Sequence, residues 1–240
     1  MNLSDDAIVE VSSVDARVTP FDWAFPRDHR SEIDANWARM MADKPKMFNG
    51  RVLLQHHGEL VGDVFVARYF ETDYADFIGW IKAGHPGVPL RNGFSMAALR
   101  ARDGAFLLGE MAAHTVNAGR IYFAAGTPDR DDIREGGVLD LAGSAERELC
   151  EETGLQPNEV AIGEGWAAVA ETTRIAFMRP CRINLPAEEA RRVMLDRIAR
   201  QDEPELSGIH IARHGDQSLH ERMPDFMRRY LDWVWAKEDA

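Results

Sequence analysis

"RELCEETGL", Arg147 to Leu155, puts Arg147, Glu148, Glu151 and Glu152 within a few residues, with Glu146 just ahead. The stretch reads as the end of a helix. Asp140 is a good N-cap and Gly154 a good C′ residue for a helix from about Leu141 to Thr153. Leu141, Ala145 and Leu149 recur at four-residue spacing and form its buried stripe. Glu148, Glu151 and Glu152 fall in one sector beside that stripe, related by i,i+3 and i,i+4 steps.

This crowding is unfavourable twice over. Each like-charge pair at such spacings costs about 0.2–0.5 kcal/mol. Carboxylates in a last turn also oppose the helix dipole, at about 0.3–1 kcal/mol each when exposed. Arg147 can reach Glu151 but cannot neutralise three acids. A solvated acidic face is one reading. The other is a missing cation, and clustered oxygen ligands suit a hard divalent ion, Mg²⁺ or Mn²⁺.

The bulk composition narrows the function. At 240 residues the chain is long enough for one large domain or one domain with an extension. A formal net charge of -12 argues against a protein that coats nucleic acid through basic surface. Cys150 and Cys181 lie in no metal-binding or disulfide spacing. No apolar run approaches a membrane span and the N-terminus is acidic, so the cytoplasm is the expected compartment.

Along the chain, the first twenty-odd residues read as an extended, Pro-punctuated arm. A helix is expected from Ser31, with Ser31 and Asp34 in a capping-box pattern and Pro45 as its stop. Arg51 to Phe70 reads as two strands around a His-Gly-Glu turn, and residues from Thr72 or Asp73 to Gly84 as a second helix. Pro86 to Gly93 marks the expected boundary between an N-terminal extension, 1–92, and the main domain, 93–240. A hairpin about Asp103-Gly104 follows, then a strand at "GRIYFAAG" and a long polar loop into the acidic helix. Two further strands, a helix from Pro186, a short strand and a terminal helix complete the chain. Without regular βαβ alternation, an α+β or mixed-sheet α/β fold is favoured.

The opening stretch resembles the end of the Nudix box, G-x5-E-x7-R-E-U-x-E-E-x-G-U, where U is bulky and aliphatic. Arg147, Glu148, Leu149, Glu151, Glu152, Gly154 and Leu155 fill every specified place of its second half. "RIYFAAG" resembles the strand that leads into the box. The first half departs from the pattern. Position 139 is Leu where the family has Glu, and the loop after Gly126 is longer than the family spacing. Glu135 or Asp140 are the candidates to replace that Glu, with Asp140 better suited to the N-cap. The resemblance spans about Gly93 to Arg213.

It implies an α/β/α sandwich with a mixed sheet, the N-terminal residues adding a strand-and-helix layer. It implies Mg²⁺- or Mn²⁺-dependent hydrolysis of a diphosphate linkage in a small-molecule nucleoside diphosphate derivative. Glu148, Glu151 and Glu152 would hold the metal, with the carbonyl of Ala125 or Gly126 and an acid outside the box, Glu203 or Glu205. Glu148 would serve as ligand or base, and Arg147 would hold the glutamates in place. Arg120, Tyr122, Arg130 and Arg134 flank the strand or loop and are the candidate substrate contacts. No nucleic acid polymer or membrane partner is expected; a homodimer is allowed for. "NWARMMADKPKMFNGRVLL" and "YFETDYADFIGW" loosely resemble the N-terminal portion of Nudix enzymes acting on UDP-sugars, which favours a nucleotide-sugar. The alternative from another class is a non-hydrolytic Nudix-fold nucleotide sensor. His56 and His57 are expected in structural or surface roles, Cys150 in packing, and Trp166, Trp233 and Trp235 in the core.

Overall fold

The computed structural model describes residues 3–44 and 47–239. The N-terminal segment is not an arm. It forms β1 (Ile8–Val11) and β2 (Ser13–Val18), which pair with strands far away in sequence. After a short helix α1 (Phe25–Asp28), α2 (Arg30–Asp43) starts at His29, so Ser31 lies inside the helix rather than at its cap. His29 stacks on Phe25, ring centroids 4.6 Å apart, and this packing sets the start. Pro45, the expected stop, lies outside the described residues.

β3 (Arg51–Val61) runs straight through the expected His-Gly-Glu turn, and the chain reverses at Gly62-Asp63 before β4 (Val64–Asp73). Gly62 has φ 63°, the conformation that two-residue hairpins draw from glycine. Gly58 instead sits within the strand, where a side chain would overlap Gln55 and Phe65. α3 (Tyr74–Lys82) follows, with Asp73 as N-cap residue and Gly84 left-handed just beyond its end.

β5 (Asn92–Ala101) and β6 (Phe106–Met111) form the expected hairpin about Asp103-Gly104. β7 is only Ile121–Tyr122. The long loop carries β8 (Ile133–Arg134) and β9 (Val138–Leu139) before α4 (Leu141–Thr153). Then come β10 (Val160–Ile162), β11 (Trp166–Ala170), β12 (Arg174–Ile183), α5 (Ala187–Ile198), β13 (Leu206–Ala212) and α6 (Asp225–Glu238).

The fold is mixed α/β, with two mixed sheets and six helices among the described residues. The larger sheet has order β1-β11-β12-β5-β6-β13, with β10 beside β12 and β7 beside β6; β12 and β5 run parallel. The smaller sheet has order β3-β4-β2-β9-β8, with β2 and β4 parallel. The division at residue 92 is crossed in both directions. β1 belongs to the larger sheet, and β8 and β9 of the loop belong to the smaller one.

Strand alternation settles the layers. Ile175 and Phe177 of β12 share a core with Leu53, Phe65 and Tyr69 of the smaller sheet, the Phe65 and Phe177 rings 5.2 Å apart. Ala176 and Met178 face the other way, into the core that includes Phe226 and Tyr230 of α6. The far side of the smaller sheet, Val52, Leu54 and Phe70, packs against Phe25, Ile33, Phe77 and Trp80 of α1, α2 and α3. No helix among the described residues is long and apolar enough to cross a membrane.

Candidate active site

α4 is built as its ends and stripe dictate. Asp140 accepts from Gly143 N at 2.8 Å, Gly154 is left-handed at φ 72°, and Leu141, Ala145 and Leu149 are buried. Arg197 of α5 donates to Gly154 O at 3.0 Å and pairs with Glu159, placing a cation where the dipole favours one.

The box glutamates divide by depth. Glu152 is 4% exposed; its Oε1 accepts from Ala125 N at 3.2 Å and its buried Oε2 has no partner. Glu148 lies against Gly126 so closely that a Cβ there would overlap the carboxylate. Glu151 is exposed and turns to Arg147 at 3.2 Å. Burial pushes Glu148 up to about 7, against the pull of Arg147 and with Glu151, Glu205 and Asp132 adding to it. Burial, then the charge of Glu148, holds Glu152 well above the ordinary carboxyl range, while the Ala125 N–H works the other way. Glu205, just before β13, lies near enough for its charge to act on Glu148, Glu152 and Tyr122. In the loop flanking Gly126, the Ala125 N–H meets Glu152.

Arg147 is the hub of the cluster. It contacts Glu148 at 2.8 Å, Glu151 at 3.2 Å and Asp132 at 3.1 Å. Burial works against its charge, but Glu148, Asp132 and Glu151 outweigh it and hold the guanidinium above its ordinary range. Asp132 is the residue that sequence reasoning missed. It is 1% exposed and also accepts from Ser144 Oγ at 3.2 Å and Asp129 N at 3.1 Å. Neither acid considered in its place reaches Arg147: Glu135 is exposed and Asp140 caps the helix, holding Arg134 as well. The spacing of Asp129 and Asp132, a reciprocal capping box around a 3₁₀ turn, was the signal available. Leu139, at the family's Glu position, is buried in β9.

The long loop is a connection to the smaller sheet. Val138 pairs with Arg17, Pro128 O accepts from Leu53 N at 2.8 Å, and Arg130 donates to Glu71 at 2.9 Å. Arg130 and Arg134 are therefore engaged by Glu71 and Asp140. Neither lines the cleft that opens beside the glutamates. That cleft, about 740 Å³, is lined by Arg120, Tyr122, Ala125, Gly126 and Thr127, with walls from α3, β5 and the start of α6. The Tyr122 hydroxyl accepts from Asn117 Nδ2 at 3.1 Å. His56 bonds Thr19 at 2.9 Å and stacks on Phe21, and Trp166 and Trp235 are buried.

Among the described residues, no three His, Cys, Asp or Glu side chains are gathered as a ready metal cage. Glu151 is exposed and shares Arg147 Nη1 with Glu148, which leaves Glu148 and Glu152 as the shielded carboxylates. Their donor chemistry nonetheless fits a hard divalent ion: an orphaned, buried carboxylate oxygen and a second carboxylate seated in a glycine cradle.

No family model and no curated protein matches the chain. Solved structures similar to it include a Nudix hydrolase from M. smegmatis, RenU, at 13% identity over 61% of this chain and 84% of that one, TM-score 0.40. The MutT protein from Methanosarcina mazei Go1 is 16% identical over 62% and 96%, TM-score 0.39. A C. elegans Ap4A hydrolase binary complex is 13% identical over 60% and 96%, TM-score 0.35. These likenesses are distant.

Proposed function

We propose that the protein is a Nudix-type pyrophosphohydrolase of the cytoplasm. Its reaction is the Mg²⁺- or Mn²⁺-dependent hydrolysis of a diphosphate linkage in a nucleoside diphosphate derivative. The observation that carries the reading is the buried Glu148–Glu152 pair, with an unpartnered Glu152 oxygen, beside Gly126 at the edge of an open cleft. Two acids buried this close need a cation to remain charged together.

Glu148 and Glu152 would hold the ion, with Glu151 and Glu205 as further carboxylates. When bound, such an ion would offset the charge that develops on the phosphoryl oxygens. Glu148 would serve as ligand or would accept a proton from the attacking water. Arg147 and Asp132 would fix the direction of the Glu148 carboxylate, and Arg120 would meet a phosphate in the cleft. The Ala125 N–H would keep Glu152 aimed in one direction.

For the substrate, the resemblance of the N-terminal layer favours a nucleotide-sugar such as a UDP-sugar over ADP-ribose, NADH or coenzyme A. Incubation with Mg²⁺ and a panel of these compounds, with products identified by mass, tests this. UMP and a sugar phosphate support it; activity confined to adenine-containing compounds overturns it. The exposure of Glu151, engaged by Arg147, is the observation that favours a second reading, a nucleotide sensor without turnover. Tight nucleotide binding with no hydrolysis in either metal would establish the sensor.

A further inference from the structure

α3 carries more apolar surface than its packing uses. Ala75, Phe77 and Trp80 are buried against the smaller sheet and α2. Tyr74, Ile78 and Ile81, at i, i+4 and i+7, form a second stripe that lines the cleft; Tyr74 and Ile78 also pack on the edge of that core, and Ile81 is 40% exposed. The loop before β7 presents Val116 to the same cleft, 51% exposed. Lys44 fixes that loop by donating to Thr115 O at 2.7 Å. Exposed apolar side chains on two elements bordering one cleft mark a surface that is covered when the cleft is filled. Phe94 lines it from the sheet, its ring 5.8 Å from Phe226.

Tyr122 joins this end of the cleft to the carboxylates. Its phenol lines the cleft together with Tyr74 and with Ala125 and Gly126, which touch Glu152 and Glu148. Having accepted from Asn117, it keeps its own proton to donate. Arg120 makes no ion pair among the described residues and lines the same cleft.

We propose that the α3 end of the cleft is a nucleobase subsite, with the base lying against Tyr74 and the Ile78–Ile81 stripe, and Phe94 on the sheet side. A planar base presents apolar faces to such a wall and needs few edge contacts, which Asn92, His85 and Tyr122 supply. A hexopyranose, with hydroxyls around its ring, would turn some of them toward Tyr74, Ile78, Ile81 and Val116. The subsite rests on reading this cleft as the substrate site of a nucleotide hydrolase.

The test is equilibrium binding to the full chain in EDTA, where no turnover intrudes. The probes are UMP, AMP, ribose 5-phosphate and glucose 1-phosphate. At least one nucleotide binds about tenfold or more tightly than ribose 5-phosphate, which has the same phosphate and ribose without the base. Tyr74→Ala reduces that ratio to within about threefold and leaves ribose 5-phosphate unchanged. Ile81→Ser, at an exposed position that does not endanger folding, narrows it in the same direction. Circular dichroism checks that Tyr74→Ala is folded. The subsite is overturned if neither nucleotide outbinds ribose 5-phosphate, if the ratio survives both substitutions, or if Tyr74→Ala weakens glucose 1-phosphate instead. Hydrolysis in Mg²⁺ is scored separately: base preference without turnover removes the hydrolase and keeps the subsite, and turnover without base preference does the reverse.

Discussion

Arg147 and Asp132 meet at 3.1 Å, joining the acidic helix to the loop that precedes it. The contact is made by an Asp that is 1% exposed and bound as well to Ser144 and to the backbone of Asp129. It anchors the guanidinium whose other contacts are Glu148 and Glu151.

Removing that anchor leaves a half-buried cation and an unpartnered Ser144. Asp132→Ala is expected to cost about 2–3 kcal/mol in denaturant unfolding, below the fully buried range because Arg147 is partly exposed. It should also lower turnover of a diphosphate substrate. Asp140→Ala loses a helix cap, about 1 kcal/mol, and the exposed contact with Arg134. Glu135→Ala, at an exposed position, should change neither quantity. Equal effects of Glu135→Ala and Asp132→Ala would show that the anchor is misassigned.

Gly126→Ala isolates the fit between the loop and Glu148. Gly126 has an ordinary φ, so the added methyl acts through overlap with the carboxylate and not through backbone strain. Turnover is expected to fall at least about tenfold, the scale of a displaced catalytic group, while the far-ultraviolet spectrum is unchanged. An active Gly126→Ala enzyme would mean that Glu148 has room to move without consequence.

Two arginines separate a cleft role from a scaffold role. Arg120→Ala is expected to raise KM by about tenfold, as loss of a phosphate contact should. Arg130→Ala, which removes one of the two arginines on Glu71, should leave KM unchanged, since Arg130 is exposed and Arg51 still holds Glu71. Steady-state kinetics and unfolding curves on the two variants decide it.

The Glu159–Arg197 pair gives a pH signature at the end of α4. Arg197, together with the Gln156 N–H, holds Glu159 down to about 2. A folded value below the unfolded one stabilises the protein above the ordinary carboxyl range. That contribution is lost as pH falls through about 4.5 toward about 2. Glu159→Gln should remove about 1 kcal/mol at pH 7 and flatten the slope of stability below pH 5. Equal slopes for variant and parent would show that the pair carries no proton-linked stability.

The acidic helix was legible because everything that defines it is local: Asp140 and Gly154 at its ends, and the Leu141, Ala145, Leu149 stripe between. The Asp103-Gly104 hairpin was legible for the same reason. What failed was set by distant partners. β1 finds β11, and β2 finds β4 and β9, so the partners that turn residues 8–18 into strands lie far away in sequence. The Ser31 capping pattern lost to the stacking of His29 on Phe25. Gly58 read as a turn, but its missing side chain makes room for Gln55 and Phe65 within a strand. Asp132 stayed hidden because its value lies in a contact across the loop, while Glu135 and Asp140 sat nearer the expected place. Arg130 and Arg134 looked like cleft residues until Glu71, Asp140 and β9 showed the loop turning toward the smaller sheet.

The central claim is that the buried carboxylates of α4 hold a divalent ion for hydrolysis, and Glu152 tests it most directly. The measurement is the rate of diphosphate cleavage in Mg²⁺ by the parent and by Glu152→Gln, alongside the unfolding midpoint of each in EDTA and in Mg²⁺. Glu152→Gln is expected to lose two or more orders of magnitude in rate, roughly the scale of a lost metal ligand. Its metal-free midpoint should lie at or above that of the parent, because a buried like charge has been removed, with a smaller rise on adding Mg²⁺. A Glu152→Gln protein with undiminished turnover and the parent's full response to Mg²⁺ would contradict it.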